Sequence, residues 1–203
     1  MKIALIGATG NVGQRLTDEA LRRGHTVTAI SRHASRLPAS PSLLARDVDL
    51  HDSAALAEAL EGSDVVLSAV RFQDAPAPAI TGPLKRAGVK RLLVVGGAGS
   101  LEVAPGLQLA DTPEFPDAYK KEALAGRDFL NALRQEPELD WTFVSPSALF
   151  APGERTGNFR VGQDTLLSDA HGKSWISMED FAIALLDEVE RPRHSRRRFT
   201  VGY

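Results

Sequence analysis

The sequence predicts an α/β domain: a mostly parallel, doubly wound sheet with helices on both faces. Through the first half of the chain, short apolar runs alternate with stretches whose apolar positions recur at helical spacing, as repeated strand–helix–strand units require. Glycines at 7, 24, 62 and 96–97 punctuate the junctions where strands end or helices close. The length of 203 residues holds one domain with a sizeable core and would cramp two, and neither an internal repeat nor an interdomain linker is visible. Residues 1–203 are therefore read as one domain, with six or seven strands in the sheet. A small substrate cap is expected from the C-terminal third, about residues 146–203.

The elements follow in order. Ile3 to Ile6 is a buried strand ending in glycine, and Val12, Leu16, Ala20 and Leu21 mark a helix closed by Gly24. Thr26 to Ile30 is the second strand, and a shorter third surrounds Val48. Asp52 or Ser53 caps a helix running to Leu60. Asp64 to Val70 is the fourth strand. Pro76, Pro78 and Pro83 make the next helix late-starting or irregular. Arg91 to Val95 is the fifth strand, followed by Gly96-Gly97-Ala98-Gly99-Ser100. A helix lies within Phe115 to Gln135 and a strand from Trp141 to Ser145. Pro152 to Gly162 reads as a long loop, and Thr165 to Ile176 as a hairpin turning at His171-Gly172-Lys173. Ser177-Met178-Glu179-Asp180 resembles a capping box opening a helix to about Val189, and Phe199 to Val201 is the last strand.

Composition narrows the function classes. The chain is 43% hydrophobic and 25% charged, an ordinary globular balance. A net charge of −2 supplies no global positive field to recruit nucleic acid or a membrane surface. The absence of cysteine removes disulfides, thiolate metal sites and thiol nucleophiles together, and fits a reducing interior. Histidines 25, 33, 51, 171 and 194 lack metal-ligand spacing, so no metal is expected. With neither a signal-like nor a membrane-length apolar run, a soluble cytoplasmic protein is expected. The five arginines between Arg191 and Arg198 read as a solvated segment.

The most informative stretch is Gly7-Ala8-Thr9-Gly10-Asn11-Val12-Gly13, because it follows a buried strand directly and opens a helix. In that setting Gly7 permits the tight turn, Gly10 lets backbone approach a diphosphate, and Gly13 lets helix and strand pack closely. Thr9, Asn11 and Val12 complete a loop whose amides face the anion at the helix start. This is a Rossmann-type dinucleotide site. Its second strand ends Ile30-Ser31-Arg32, with Arg36 close behind and no carboxylate to hold a ribose 2′-hydroxyl. Guanidinium groups suit a 2′-phosphate, so NADP(H) is expected over NAD(H), which stays possible; otherwise Arg32 and Arg36 are surface charges.

Nearly the whole chain resembles the atypical short-chain dehydrogenase/reductases, in the NmrA-like branch described as NAD(P)H-flavin reductases. The resemblance rests on GATGNVG, on VVGGAGSL (Val94 to Leu101), on DWTFVSPSALFAPGERTG (Asp140 to Gly157) and on DFAIALLDEVE and RRFTVGY near the end. It implies that Asp47 and Val48 lie beside the adenine and that Ala69 and Val70 flank the ribose. It also implies that Gly96, Gly97, Ser147 and Ala148 line the nicotinamide pocket.

The standard enzymes of that group pair tyrosine with lysine four residues on, which lowers the tyrosine pKa for acid–base work. Here Tyr119 is followed at that place by Ala123. Tyr119 is thus either a proton-transfer group or an ordinary helix aromatic. Ser100 stands where the group keeps a substrate-binding serine, and either binds substrate or caps a turn. Glu154 and Arg155, in a glycine-flanked loop, either form a substrate rim or pair with neighbours to hold the cap.

Reducing a ketone calls for a proton at a localised alkoxide, whereas a conjugated ring spreads the charge and accepts hydride with water as proton source. The missing lysine therefore favours an NADPH-dependent oxidoreductase acting on a flavin, quinone or similar conjugated acceptor. The alternatives are a non-catalytic NADP(H)-sensing regulator and, on weaker grounds, a nucleotide-sugar epimerase or dehydratase. The sequence leaves the oligomeric state open.

Overall fold

Strand β1 (Lys2–Ile6) is buried at four of its five positions and shows no polar alternation, because helices cover both faces of the sheet it centres. The computed structural model describes residues 1–203. On one side of β1 lie β2 (Thr26–Ser31) and β3 (Leu43–Asp47). On the other lie β4 (Val65–Ser68), β5 (Arg91–Val95), β8 (Asp140–Ser145), β12 (Arg197–Gly202) and β10 (Arg160–Gly162). Only β10 runs antiparallel; every other neighbouring pair is parallel. The sheet has eight strands rather than six or seven. The edge strand β10 lies at the end of the stretch expected to be a loop, and its three residues are too few for a period-2 signal.

The chain leaves β1 toward β2 and β3, then crosses back to β4 on the other flank. The strand order therefore reverses at β1 and β4, and a crevice opens beyond their C-terminal ends. Helices α1 (Asn11–Arg22) and α5 (Met178–Glu190) cover one face, where Leu16, Ala20, Phe181 and Leu185 meet Ile3, Leu5 and Phe199. Helices α2 (Ser53–Leu60), α3 (Ala77–Arg86) and α4 (Asp117–Arg134) cover the other, with Leu56, Ile80, Leu84 and Phe129 against Ala4, Ile6 and Trp141.

The caps behave as their chemistry demands. Asp52 accepts from the Ala55 amide at 3.0 Å and Ser177 from the Asp180 amide at 3.0 Å, starting α2 and α5. Pro76 caps α3 and Pro78 falls in its first turn, where no amide is missed, so the helix starts late after β4; Pro83 is carried inside it. The third strand ends at Asp47, one residue short of the expected Val48.

The largest departure is at residues 165–176. Their turn exists, with Gly172 at φ 79° and Asp169 N–H donating to the Lys173 carbonyl at 2.9 Å, but no hairpin forms. Instead β11 (Trp175–Ser177) pairs in parallel with β9 (Leu149–Ala151). A small β6 (Glu102–Ala104) and β7 (Leu107–Gln108) hairpin, unforeseen in the sequence, follows β5. No helix is long and apolar enough to cross a membrane.

Candidate functional site

The glycine loop lies at the crevice beyond β1 and β4, and its three glycines are needed for different reasons. Gly7 has φ 85° and donates to the Ile30 carbonyl at 2.8 Å; a Cβ there would stand 2.7 Å from the Ala69 carbonyl oxygen. A Cβ on Gly13 would drive into the Gly7 carbonyl. Gly10 differs. Its φ of −73° suits any residue, and a Cβ would meet nothing nearer than the Gly7 oxygen at 3.4 Å. The protein itself does not need a glycine at 10; open space lies in front of it.

That space fits a diphosphate. Helix α1 begins without a side-chain cap, and the amides of Asn11, Val12 and Gly13 donate to no protein acceptor. The adjoining cavity, about 290 Å³, is walled by Gly7, Thr9 and Gly10, by Ser31 and Arg32, by Val48, and by Ala69 and Val70. These are eight of the expected cofactor residues.

Two expected residues lie outside the glycine loop and on neither cavity wall. Arg36 is exposed on a short 3-10 turn (Ala34–Arg36) and does not line the cavity. Asp47 does not line it either. Its carboxylate accepts from the Ser35 amide at 2.7 Å and the Ser35 hydroxyl at 2.6 Å, bonds that hold its pKa below the ordinary value. It fixes the turn that carries Arg32 past the end of β2. Arg71, not singled out in the sequence, supplies the second guanidinium on the wall. Its signal was its place one residue beyond Val70, at the strand end facing the same crevice.

Beyond β5 and β8 lies a larger cavity of about 560 Å³. Gly96, Gly97, Ser147 and Ala148 line it, as do Ser100 and Tyr119, and the rest of the wall is mainly apolar: Phe72, Leu109, Phe115, Pro146, Leu149 and Phe150. Gly96 is obligatory, since a Cβ would enter the Phe143 ring. The Ser147 hydroxyl is turned away into the sheet, donating to the Val201 carbonyl at 3.0 Å.

Most charge on this wall is already spent. Glu122 accepts from the Phe72 amide at 2.7 Å and the Gln73 amide at 3.2 Å. Arg127 pairs with Asp111 at 2.8 Å. No lysine or histidine lines the cavity. Tyr119 stands in the first turn of α4 and is 66% exposed, while Lys120 donates to the Ala110 carbonyl and Lys121 is exposed. Ser100 is buried, and its Oγ accepts from Arg198 Nη1 at 3.0 Å, so it binds a neighbour rather than capping the next turn.

A family model described as NAD(P)H-binding matches residues 7–192. The chain belongs to this NAD(P)H-binding Rossmann family. Three solved structures resemble it over their full length. A candidate exported protein from Burkholderia pseudomallei is 51% identical, with all of both chains covered and a TM-score of 0.91. A candidate epimerase from Bacteroides thetaiotaomicron is 43% identical, covering 100% of this chain and 96% of that one, with a TM-score of 0.95. A candidate NADH-flavin reductase from Streptococcus pneumoniae is 36% identical over 100% of this chain and 99% of that one, at a TM-score of 0.85.

In this NAD(P)H-binding chain the loop at residues 152–157 takes the second of its two expected roles, pairing with neighbours rather than forming a substrate rim. Neither Glu154 nor Arg155 lines the larger cavity. Arg155 donates through Nε and Nη2 to the Glu19 carboxylate of α1, both at 3.0 Å. The Gly153 amide donates to Glu179 at 2.8 Å, the Gly157 amide to Asp180 at 2.9 Å, and Ser177 Oγ to the Glu154 carbonyl at 2.8 Å. Glu19 is 2% exposed and demands cations, and Arg155 is one of three that answer it. The loop is strapped to α1 and α5 instead.

Proposed function

We propose that the chain is an NADPH-dependent oxidoreductase passing hydride to a flavin, quinone or similar conjugated acceptor. The observation that carries this reading is the larger cavity: roomy, mainly apolar, and with a tyrosine but no lysine on its wall. Cavities of roughly 300–1,000 Å³ with few polar groups are what small-molecule sites require. A flat ring system suits such walls, and its delocalised charge needs no dedicated acid.

The bound nicotinamide supplies the hydride. The chain's own residues bind and orient. Amides of Asn11, Val12 and Gly13 would hold the diphosphate, and Arg32 with Arg71 would hold a 2′-phosphate. Gly96 and Gly97, with Ser147 and Ala148 on the same cavity wall, would seat the nicotinamide. Phe72, Phe115 and Phe150 exclude water from the acceptor side. Acceptor, NADPH and one proton from water yield the dihydro-acceptor and NADP⁺, so atoms and electrons balance. A cytoplasmic location is part of this proposal, supported by the cysteine-free composition.

Loss of NADPH absorbance with riboflavin, FMN and menadione tests the reading. Turnover with at least one acceptor, and weaker binding of NADH than of NADPH, are expected. Saturable NADPH binding with no turnover on any acceptor overturns the enzyme reading and leaves a nucleotide sensor.

A further inference from the structure

Arg198 sits inside β12 opposite Phe143 of β8, between the core residues of a sheet covered on both faces. Such a position normally takes an apolar side chain. Its side chain is only 5% exposed, and a buried guanidinium must be paired. Nε and Nη2 both donate to Asp164 Oδ1, at 2.8 and 2.5 Å, and Nη1 donates to Ser100 Oγ at 3.0 Å.

Docking of the Asp164 segment does not depend on this charge. The Glu102 amide donates to the Asp164 carbonyl at 2.8 Å, and the Leu166 amide to the Glu102 carbonyl at 2.9 Å, so backbone already ties that segment to the chain after Ser100. What the cation adds is polarity at Ser100. A hydroxyl has one proton to give and two lone pairs to receive, while a guanidinium only donates. Arg198 takes a lone pair, and the Ser100 proton meets no protein acceptor. Ser100 is 4% exposed and lines the larger cavity, which leaves the cavity contents as the candidate partner for its unspent proton.

We propose that Arg198 is a positioning residue that makes Ser100 a dedicated hydrogen-bond donor to a ring carbonyl oxygen of the acceptor, with Asp164 holding Arg198 in place. The inference rests on the reductase reading and deepens it: the acceptor must carry a carbonyl conjugated to the ring that takes the hydride. As hydride adds to the ring, the electron pair moves onto that oxygen, which Ser100 stabilises while keeping its own proton. Water supplies the proton that completes the reduction. A cation behind the hydroxyl polarises it and strengthens the donation.

The test uses the full chain with riboflavin and menadione as probes. Riboflavin affinity is read from quenching of flavin fluorescence without nucleotide, and kcat and KM from NADPH oxidation. Ser100→Ala is expected to weaken riboflavin binding about five- to tenfold and to lower kcat, with NADPH affinity unchanged. Asp164→Asn, at a half-exposed carboxylate that tolerates the change, is expected to weaken riboflavin two- to threefold, and Arg198→Lys to fall between. In the Ser100→Ala background Asp164→Asn should add nothing, because both act through one hydroxyl. Riboflavin binding and turnover unaffected by Ser100→Ala overturn the assignment while leaving the reductase reading intact. Losses that add in the double variant reduce Arg198 to a structural role. A wild-type chain that neither binds nor reduces either probe removes the reductase reading, and this inference with it.

Discussion

Ala123 of α4 packs directly on Gly99: a Cβ on the glycine would lie 2.6 Å from the Ala123 methyl and 3.4 Å from that of Ala110. The position that would carry the lysine of a Tyr-x-x-x-Lys pair is thus taken by a residue small enough for the helix to lie on the loop after β5. Gly99→Ala is expected to destabilise the fold by about 1–3 kcal/mol, the usual cost of overpacking. Adding Ala123→Gly should restore most of that, less about 1 kcal/mol for a helix glycine. Urea unfolding of the two singles and the double checks it. A double variant no more stable than Gly99→Ala would show that the contact is not the cause.

The loop glycines separate folding from binding. Gly10→Ala places a methyl in open space at an unstrained φ, so the unfolding free energy should stay within about 1 kcal/mol of wild type. That methyl occupies the approach of the diphosphate, and dinucleotide affinity should fall at least about tenfold, a loss of ~1.4 kcal/mol. Gly13→Ala should be destabilised outright, because its Cβ meets the Gly7 carbonyl. Thermal unfolding and calorimetric titration of both variants distinguish the roles, and equal nucleotide affinity for Gly10→Ala and wild type would break the assignment.

Cofactor choice should follow the arginines on the cavity wall. Arg32→Glu is expected to cost NADPH about tenfold or more, from the loss of a charge-assisted hydrogen bond of ~1.5–3 kcal/mol, while NADH loses little. Arg71→Ala should give a smaller loss of the same sign. Arg36→Ala should change neither constant, because Arg36 does not line the cavity. Dissociation constants for both nucleotides decide this, and a loss on Arg36→Ala matching that on Arg32→Glu would reinstate the pair read from sequence.

The parts legible in the sequence were those fixed by local chemistry. Strands β1, β2, β4, β5 and β8 are apolar runs bounded by glycine or proline, and Gly7, Gly10 and Gly13 announce a turn whose setting is itself local. What escaped depends on partners distant in the chain. β9 and β11 are three residues each and exist only because they pair across some 25 positions. The partner of Arg155 could not be named from its loop because Glu19, 136 residues earlier, gives no sign in sequence that it is buried. Arg198 stood among five arginines that read as one solvated run, although β12 turns its side chain inward under Ser100.

The Glu19 cluster gives the fold an acid-sensitive strap. Glu19 accepts from Arg23 at 2.8 Å, Arg22 at 2.9 Å and Arg155 at 3.0 Å. Burial works against its charge, but the three guanidinium groups outweigh burial and bring its pKa from 4.5 to about 2. A carboxylate whose folded pKa lies below its unfolded value contributes stability that is whole above the unfolded pKa and disappears as pH falls through the folded one. The shift corresponds to about 3 kcal/mol, lost between roughly pH 5 and pH 2. Glu19→Gln should therefore be less stable at pH 7 and show a flatter decline in that window, read from urea unfolding at several pH values. Arg155→Gln should leave acceptor turnover unchanged, since Arg155 is off the cavity, while amide exchange at Gly153 and Gly157 speeds up as the strap loosens. A wild-type slope in Glu19→Gln would mean that other carboxylates govern acid unfolding, and a loss of turnover in Arg155→Gln would return this loop to the substrate site.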